Sequence, residues 1–488
     1  METNAENAQL KKSSINSIIS LFAQSGYAAV LGLVANFTVT YLLTPTIFGI
    51  YAITLSIIAI LNYFSDIGLA GSLIQKKTIT DEDVKTTFTV QQALIISLVV
   101  FAYLVTPIVM SYLRLPEETK YLYWALLGSF FISSLKTIPS IFLERKVQFS
   151  KIVYVQILEN TIFYSTVIIL AVMGFKIHSF TVAVLLRAVS GLLFMYILSP
   201  WKPQLGYSHA HFKELVSFGA PFQASSLLAL VKDELIYPLF LGRVLGLAGV
   251  GYIQWAKKWA EAPIRIIMDN ITRVLFPVFS RIQDDREKVG RLVETILRYQ
   301  TMILAPSIVG LALLMKPIVE LLPKYSKWEP ALPLFYIFCI STIFSSYSTP
   351  FINLLNALGK IKTSFKFMLF WTAGTWILTP LLTISLMKYH AELYGFPLTI
   401  LLLSLAFVIV VVITKKEVSF NFFRPITPFL ISAVFMSIST IAMLSFFQTS
   451  VIQLFFTVLI SMATYLLILL LVFKINVITE VYTRFLKR

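Results

Sequence analysis

Runs of roughly twenty apolar residues follow one another from Ser13 to Phe473. As a helix, each is long enough to cross a hydrocarbon core of about 30 Å. The chain therefore reads as an all-α polytopic membrane protein with about 14 transmembrane helices. Composition agrees: 57% of residues are hydrophobic and 13% charged, against about 25% charged in soluble domains. The opening METNAENAQL lacks a basic region followed by a cleavage site, and the run after Lys11 and Lys12 is too long for a signal peptide, so an uncleaved first span is expected. A single cysteine, Cys339, excludes disulfide frameworks and cysteine-metal sites. The net charge of +16 would suit nucleic acid. In a polytopic chain, basic cytoplasmic loops account for it, and no nucleic-acid partner is expected.

Spans are predicted at residues 13–43, 48–71, 86–112, 121–143, 151–174, 179–199, 212–241, 247–277, 292–314, 331–358, 363–387, 393–414, 425–447 and 451–473. With the N-terminus inside, roughly 25 basic residues fall on inner segments and about 8 on outer ones, a strong positive-inside bias that places both termini in the cytoplasm. The largest outer loop is residues 315–330. The largest inner one, SRIQDDREKVGR, looks like a helix extension. No soluble domain is available for catalysis, and no GxxxxGK[ST] loop exists for ATP hydrolysis.

A weak internal repeat accompanies this layout. FGIYAIT opens the second span at Phe48, and VGYIQWA opens the eighth at Val250; Gly49 matches Gly251, and Asp66 falls within one residue of Asp269. Six spans precede Phe212 and six follow it, as in a duplicated two-lobe transporter. The expected division is an N-terminal lobe at 1–211, a C-terminal lobe at 212–424, and two extra helices with a cytoplasmic tail at 425–488.

A charge at mid-bilayer costs about 2.5–3.5 kcal/mol on insertion scales, so interior charges should face a cavity or a partner. They concentrate in spans two and four to eight: Asp66, Lys136, Glu159, Arg187, Lys232, Asp233 and Glu234, followed by the stretch WAKKWAEAPIRIIMDNITR. On a helix, Lys258, Glu261, Arg265, Asp269 and Thr272 share one face, flanked by Lys257 and Arg273. A polar stripe on the first span (Ser13, Asn16, Ser20, Gln24, Tyr27) implies a second wet face. The spacings Lys258–Glu261, Glu261–Arg265 and Arg265–Asp269 also suit an intrahelical ion-pair ladder. Pro263 is expected to bend the helix. Cations exceed carboxylates among these groups, which favours an anionic ligand, and Arg suits phosphate through its planar fork of donors. The candidate substrate residues are Lys258, Arg265, Lys257, Lys232, Arg187, Lys136 and Gln24. The candidate gating or ion-coupling residues are Asp233, Glu234, Glu261, Asp269 and Asp66. No metal site is expected, since His209 and His211 have no third ligand nearby in sequence. Asn353, Asn356, Thr372, Thr375 and Thr379 read as makers of interhelical hydrogen bonds.

Several segments carry a resemblance. FGIYAITLSIIAILNYFSDIGLAGSLIQKKTITDEDV resembles the second-span region of polysaccharide flippases, with its FGxY opening and SDxGL…LIQ ending. FLERKVQFSKI, FGAPFQASSLLALVKDELIYPLFLGRVLGLAGVGYIQWAKKWAEAP, VLFPVFSRIQDDREKV and LLNALGKIKTSFK are similar to later segments of the same proteins, in register over nearly the whole chain. The family is that of Wzx-type oligosaccharide flippases in the multidrug/oligosaccharidyl-lipid/polysaccharide (MOP) exporter superfamily. The resemblance implies two pseudo-symmetric six-helix lobes in a V around a cationic cavity. It also implies alternating access and a polyprenyl-pyrophosphate-linked oligosaccharide as substrate, with the polyprenyl tail in lipid beside spans thirteen and fourteen. The implied partners are membrane lipids, a polysaccharide polymerase and glycosyltransferases, with no cofactor beyond possible H+ or Na+ coupling. The family usually has one Asp inside the seventh span; here it sits in Lys232-Asp233-Glu234, which opens the identity of a coupling carboxylate. A lipid II flippase and a multidrug antiporter of the same superfamily are the alternatives, the second disfavoured by the basic stripe.

Overall fold

A computed structural model describes residues 26–28, 30–65, 68–76, 78–446 and 450–477, with the side chains of 217–226, 266–274, 276 and 277 outside the description. Gln24 and Asp66 lie outside these residues, as does the side chain of Asp269. Among the described residues, all regular elements are helical. In chain order they are α1 (Gly26–Leu42), α2 (Pro45–Phe64), α3 (Leu69–Gln75), α4 (Asp81–Leu104), α5 (Thr106–Tyr112), α6 (Thr119–Ser134), α7 (Thr137–Arg145), α8 (Phe149–Val172), α9 (His178–Leu198), α10 (His209–Asp233), α11 (Gly242–Val244), α12 (Gly246–Ile282), α13 (Arg286–Leu321), α14 (Leu332–Ala357), α15 (Ile361–Met387), α16 (Gly395–Ser404), α17 (Phe407–Glu417), α18 (Thr427–Phe446) and α19 (Val451–Leu471). Among the described residues, ten helices are long and apolar enough to cross a membrane, and an eleventh span follows if α6 and α7 count as one. Among the described residues, each of the fourteen expected spans falls on one helix of this series, or on consecutive helices where the span is broken.

The differences from expectation have local causes. Span four breaks between α6 and α7 with a bend of 41°. Pro139 supplies no N–H and its ring collides with the carbonyl of Leu135, four residues earlier. That carbonyl turns instead to Tyr196 of α9, whose hydroxyl donates to it at 3.1 Å. Span three breaks likewise between α4 and α5, where Pro107 stands at the start of the new helix. Span seven ends in a π turn, Tyr237–Leu241, opened by Pro238. The helix is continuous across Pro263. The segment SRIQDDREKVGR is not one helix extension: α12 stops at Ile282, and Asp285 caps α13 by accepting from the Lys288 N–H at 3.0 Å.

The chain forms two compact units, residues 1–251 and 252–488. Buried clusters of the first lie around Leu69, Leu73, Phe88, Ile138 and Leu215, around Leu61, Ile95, Tyr123 and Phe130, and around Leu143, Val155 and Met195. Within it α2 and the start of α12 cross at glycines, Gly49 and Gly251, with nothing but backbone between them. The second unit is built on Phe279, Val293, Phe351, Leu354 and Val410, with α18 and α19 packed on α13 through Phe429, Met436 and Tyr465. The exposed residues of α18 and α19 are mostly apolar, Val451, Ile452 and Phe455 among them, which suits hydrocarbon as solvent.

Candidate functional site

The first unit holds two polar cavities that share Asn62, Ser65, Gln91 and Thr137. The smaller, about 250 Å³, lies among α2, α4, α6, α7 and α9 and contains Arg187. The larger, about 650 Å³, contains Asp233 and Glu234 at the end of α10. Arg187 occupies the same side of α9 as the buried Phe180, Val184 and Gly191, so its exposure is to the cavity. Its guanidinium lies 5.7 Å from the centre of the Phe163 ring, and Phe163 and Phe180 both stack on Tyr51. The small cavity thus has an aromatic wall, one cation and a rim of hydroxyls and amides.

Lys136 does not join Arg187 as a free cation. It stands at the break of span four and forms an ion pair with Glu159 of α8. Glu159 is buried, and Gly191 of α9 makes room for it: a Cβ there would lie 1.7 Å from the carboxylate oxygen. A buried pair is favourable only when both charges stay satisfied, and Lys136 is held by Glu159 in this structure. Lys232 is similarly committed, its Nζ lying 2.6 Å from Asp233 Oδ1.

In the second unit the ladder on α12 is rearranged from expectation. Glu261 lies between Lys257, at 3.9 Å, and Arg265, at 2.9 Å. Lys258, the expected partner, is exposed and makes no ion pair or hydrogen bond among the described residues. The reason is geometric: the i,i+4 pair from Lys257 competes directly with the i,i+3 pair from Lys258. Lys257 also lies 6.0 Å from the Phe396 ring centre. Two of the expected interhelical bonders bond within their own helices instead: Asn353 donates to the Thr349 carbonyl at 3.0 Å and Thr375 to that of Trp371 at 2.8 Å.

A second charged cluster went unseen in the sequence. Asp83, fully buried at the first turn of α4, accepts from Lys76 Nζ at 3.0 Å and from the backbone N–H of Thr80 at 2.9 Å. The His211 ring lies 2.6 Å from it. Lys76 reaches Glu214 as well, at 3.0 Å, and its pKa is raised, chiefly by that hydrogen bond, against burial and with help from Asp83. Ser72 donates to the Leu215 carbonyl at 2.6 Å. His211 therefore does acquire further potential metal ligands, with atoms of Asp83, His211 and Glu214 within 4.8 Å of one another. The ammonium of Lys76 already bridges the two carboxylates. Nothing in the sequence spacing marks this cluster, because His211 is 128 positions from Asp83.

Comparison with known proteins follows the same lines. Residues 39–333 match the family model described as "Polysaccharide biosynthesis protein", more than half of the chain. The chain is 27% identical to the lipopolysaccharide biosynthesis protein WzxC of Escherichia coli (strain K12), over 70% of this chain and 69% of that protein. It is 23% identical to the teichuronic acid biosynthesis protein TuaB of Bacillus subtilis (strain 168), over 64% of each. In TuaB the matched part is thus slightly less than two thirds of the relative's length. Among solved structures, the lipid II flippase MurJ in its inward closed conformation shares the fold, with a TM-score of 0.73 and 17% identity over 93% of this chain and 99% of that one. An inward-facing MATE-family transporter of the MOP superfamily aligns with a TM-score of 0.56 and 15% identity over 82% of this chain and 95% of the other. Polytopic all-helical architecture, interior cations and the sequence match over residues 39–333 converge, and the chain belongs to the polysaccharide biosynthesis protein family, with a fold shared by MurJ and the MATE-family transporter.

Proposed function

We propose that this multi-pass membrane protein is a flippase that carries a polyprenyl-pyrophosphate-linked oligosaccharide, a repeat unit of a surface polysaccharide, from the inner to the outer leaflet by alternating access. The observation that carries the reading is an exposed cation on α12, Lys258, that has no carboxylate partner among the described residues. A bare pyrophosphate cannot enter hydrocarbon, because the Born cost is tens of kcal/mol; cations in a wet cavity replace its hydration. An inside-negative potential favours outward movement of anions by about 2.3 kcal/mol per charge per 100 mV, so ATP is not required.

In this reading Lys258 and Arg265 receive the diphosphate, while Glu261 holds Arg265 and exchanges partners during transport. The polyprenyl tail lies along the apolar groove of about 250 Å³ formed by Met302, Pro306, Gly310, Met436, Met462 and Tyr465. Asp233 and Glu234, with Asp66 and Asp269, are the carboxylates available for H+ or Na+ coupling. The protein works in the cell's inner or plasma membrane with both termini cytoplasmic, beside a polymerase and glycosyltransferases. The names of WzxC and TuaB, both polysaccharide biosynthesis proteins, support a glycan cargo. The lobes at 1–211 and 212–424 and the added helices from 425 are part of the proposal. In a strain lacking the protein, lipid-linked oligosaccharide should accumulate on the cytoplasmic face. Normal outward display of that lipid without the protein would overturn the reading, and mass analysis of the accumulated lipid would name the sugar.

A further inference from the structure

We infer that the Arg187 pocket seats a carboxylate-bearing sugar of the transported glycan, and not its diphosphate; this rests on the flippase reading. Charge balance is the first argument. Among the described residues, the pocket lining contains one cation, Arg187, and no carboxylate. The nearby ammonium of Lys136 is neutralised by Glu159. A diphosphate diester brings two negative charges, and a lone guanidinium leaves half of that uncompensated. A sugar carboxylate brings one, and matches the planar fork of donors that guanidinium offers.

The rest of the lining is the chemistry of a pyranose. Asn62, Gln91, Ser129, Ser133 and Thr137 supply neutral donors and acceptors. Tyr51 supplies a ring fixed in place by stacking on Phe180, with centroids 4.1 Å apart. Gln91 is 5% exposed, and its side-chain oxygen has no hydrogen-bond partner. An orphaned buried acceptor carries a desolvation penalty that a bound hydroxyl would relieve. At about 250 Å³ the pocket lies below the roughly 300 Å³ at which drug-sized sites begin, so it fits one sugar and not a chain of them. The adjoining larger cavity, edged by Glu234 and the Lys232-paired Asp233, has room for the neighbouring sugars.

The test uses the full-length protein in lipid nanodiscs with three probes: a disaccharide containing a uronic acid, the same disaccharide with its carboxyl reduced to the alcohol, and inorganic pyrophosphate. Wild type should bind the acidic disaccharide about 10- to 100-fold more tightly than the reduced one, the range for hydrogen bonds to a charged group. Arg187→Gln should remove that preference and leave pyrophosphate binding unchanged, with Arg187→Lys retaining part of it. Gln91→Leu should weaken both disaccharides alike. Equal binding of the acidic and reduced sugars by wild type overturns the inference, as does a parallel loss of pyrophosphate binding in Arg187→Gln. Unaltered thermal unfolding of each variant is checked first; should Arg187→Gln misfold, the wild-type comparison of acidic and reduced sugars still decides. In cells the two readings separate. Outward display of the glycan lipid without the protein defeats the flippase reading, whereas normal flipping of a carboxylated glycan by Arg187→Gln defeats only the pocket assignment.

Discussion

Gly49 and Gly251 meet reciprocally: a Cβ on Gly49 would lie 1.8 Å from the carbonyl oxygen of Leu247, and one on Gly251 would lie 1.9 Å from that of Pro45. Two helices that open with matching sequence therefore cross at their matching glycine, each against the other's first turn. Close backbone approach of this kind requires small residues at the crossing. It also supplies a physical cause for the weak repeat between FGIYAIT and VGYIQWA, and it supports the proposed duplication.

Gly49→Ala and Gly251→Ala should each destabilise the protein by at least the roughly 1–3 kcal/mol of an overpacked contact, because the obstructing atoms are backbone. Gly71→Ala is the control: nothing lies within 4 Å of its added Cβ, and a neutral or slightly stabilising effect is expected. Thermal unfolding in detergent reads all three. Equal tolerance at Gly49 and Gly71 would refute the crossing.

Removing one member of the Lys136–Glu159 pair strands a buried charge. Glu159→Gln and Lys136→Met should each cost about 3–5 kcal/mol, and the double replacement by apolar residues should recover most of it. Gly191→Ala should behave like Glu159→Gln, since it takes the space of that carboxylate. A double-mutant cycle on unfolding measures the coupling, and additive losses would show that the pair contributes nothing.

On α12 the two neighbouring lysines should differ. Lys258 has no partner among the described residues, whereas Lys257 is tied to Glu261 and sits beside Phe396. Lys258→Gln should therefore reduce glycan export about tenfold or more, an effect of the size expected for a lost charge-assisted hydrogen bond. Lys257→Gln should reduce it less and lower stability instead. Accumulated cytoplasmic lipid-linked oligosaccharide is the readout, and a reversed order would remove Lys258 as a ligand.

The Lys76 ammonium fills the space between Asp83 and Glu214. Its removal in Lys76→Ala should leave the Asp83, His211 and Glu214 atoms free to take Zn2+, whose ligands are nitrogen and oxygen at about 2.0–2.2 Å. The variant should be less stable than wild type without metal and regain stability when Zn2+ is added. Wild type should show little response. Zinc-dependent stabilisation of wild type would mean that the ammonium does not guard the cluster.

The span layout was legible because an apolar run of twenty residues has one inexpensive solution in a bilayer. Pro107 and Pro139 carried the signal for the two broken spans, but hydropathy averages over a proline and hides the bend. Pairings were another matter. Lys136 and Glu159 are 23 positions apart, Asp83 and His211 far more, and no helical spacing rule connects such residues. The α12 ladder shows the limit even within one helix: Lys257 and Lys258 both have permitted spacings to Glu261, and only the three-dimensional neighbours choose between them. Arg187 was visible as a charge in an apolar span; its isolation in a pocket was not, because isolation depends on where Glu159 points.

The bend in span four has a consequence for inheritance. Pro139 displaces the Leu135 carbonyl, and Tyr196 on a different helix takes it up. One kink is therefore encoded in two genes' worth of constraint within a single gene: a chain that loses the proline leaves a hydroxyl without its acceptor, and a chain that loses the tyrosine leaves a carbonyl bare in hydrocarbon. Among relatives the two positions should change together, and a graft of span four alone from a straight-helixed relative should fail where a graft of spans four and six together succeeds.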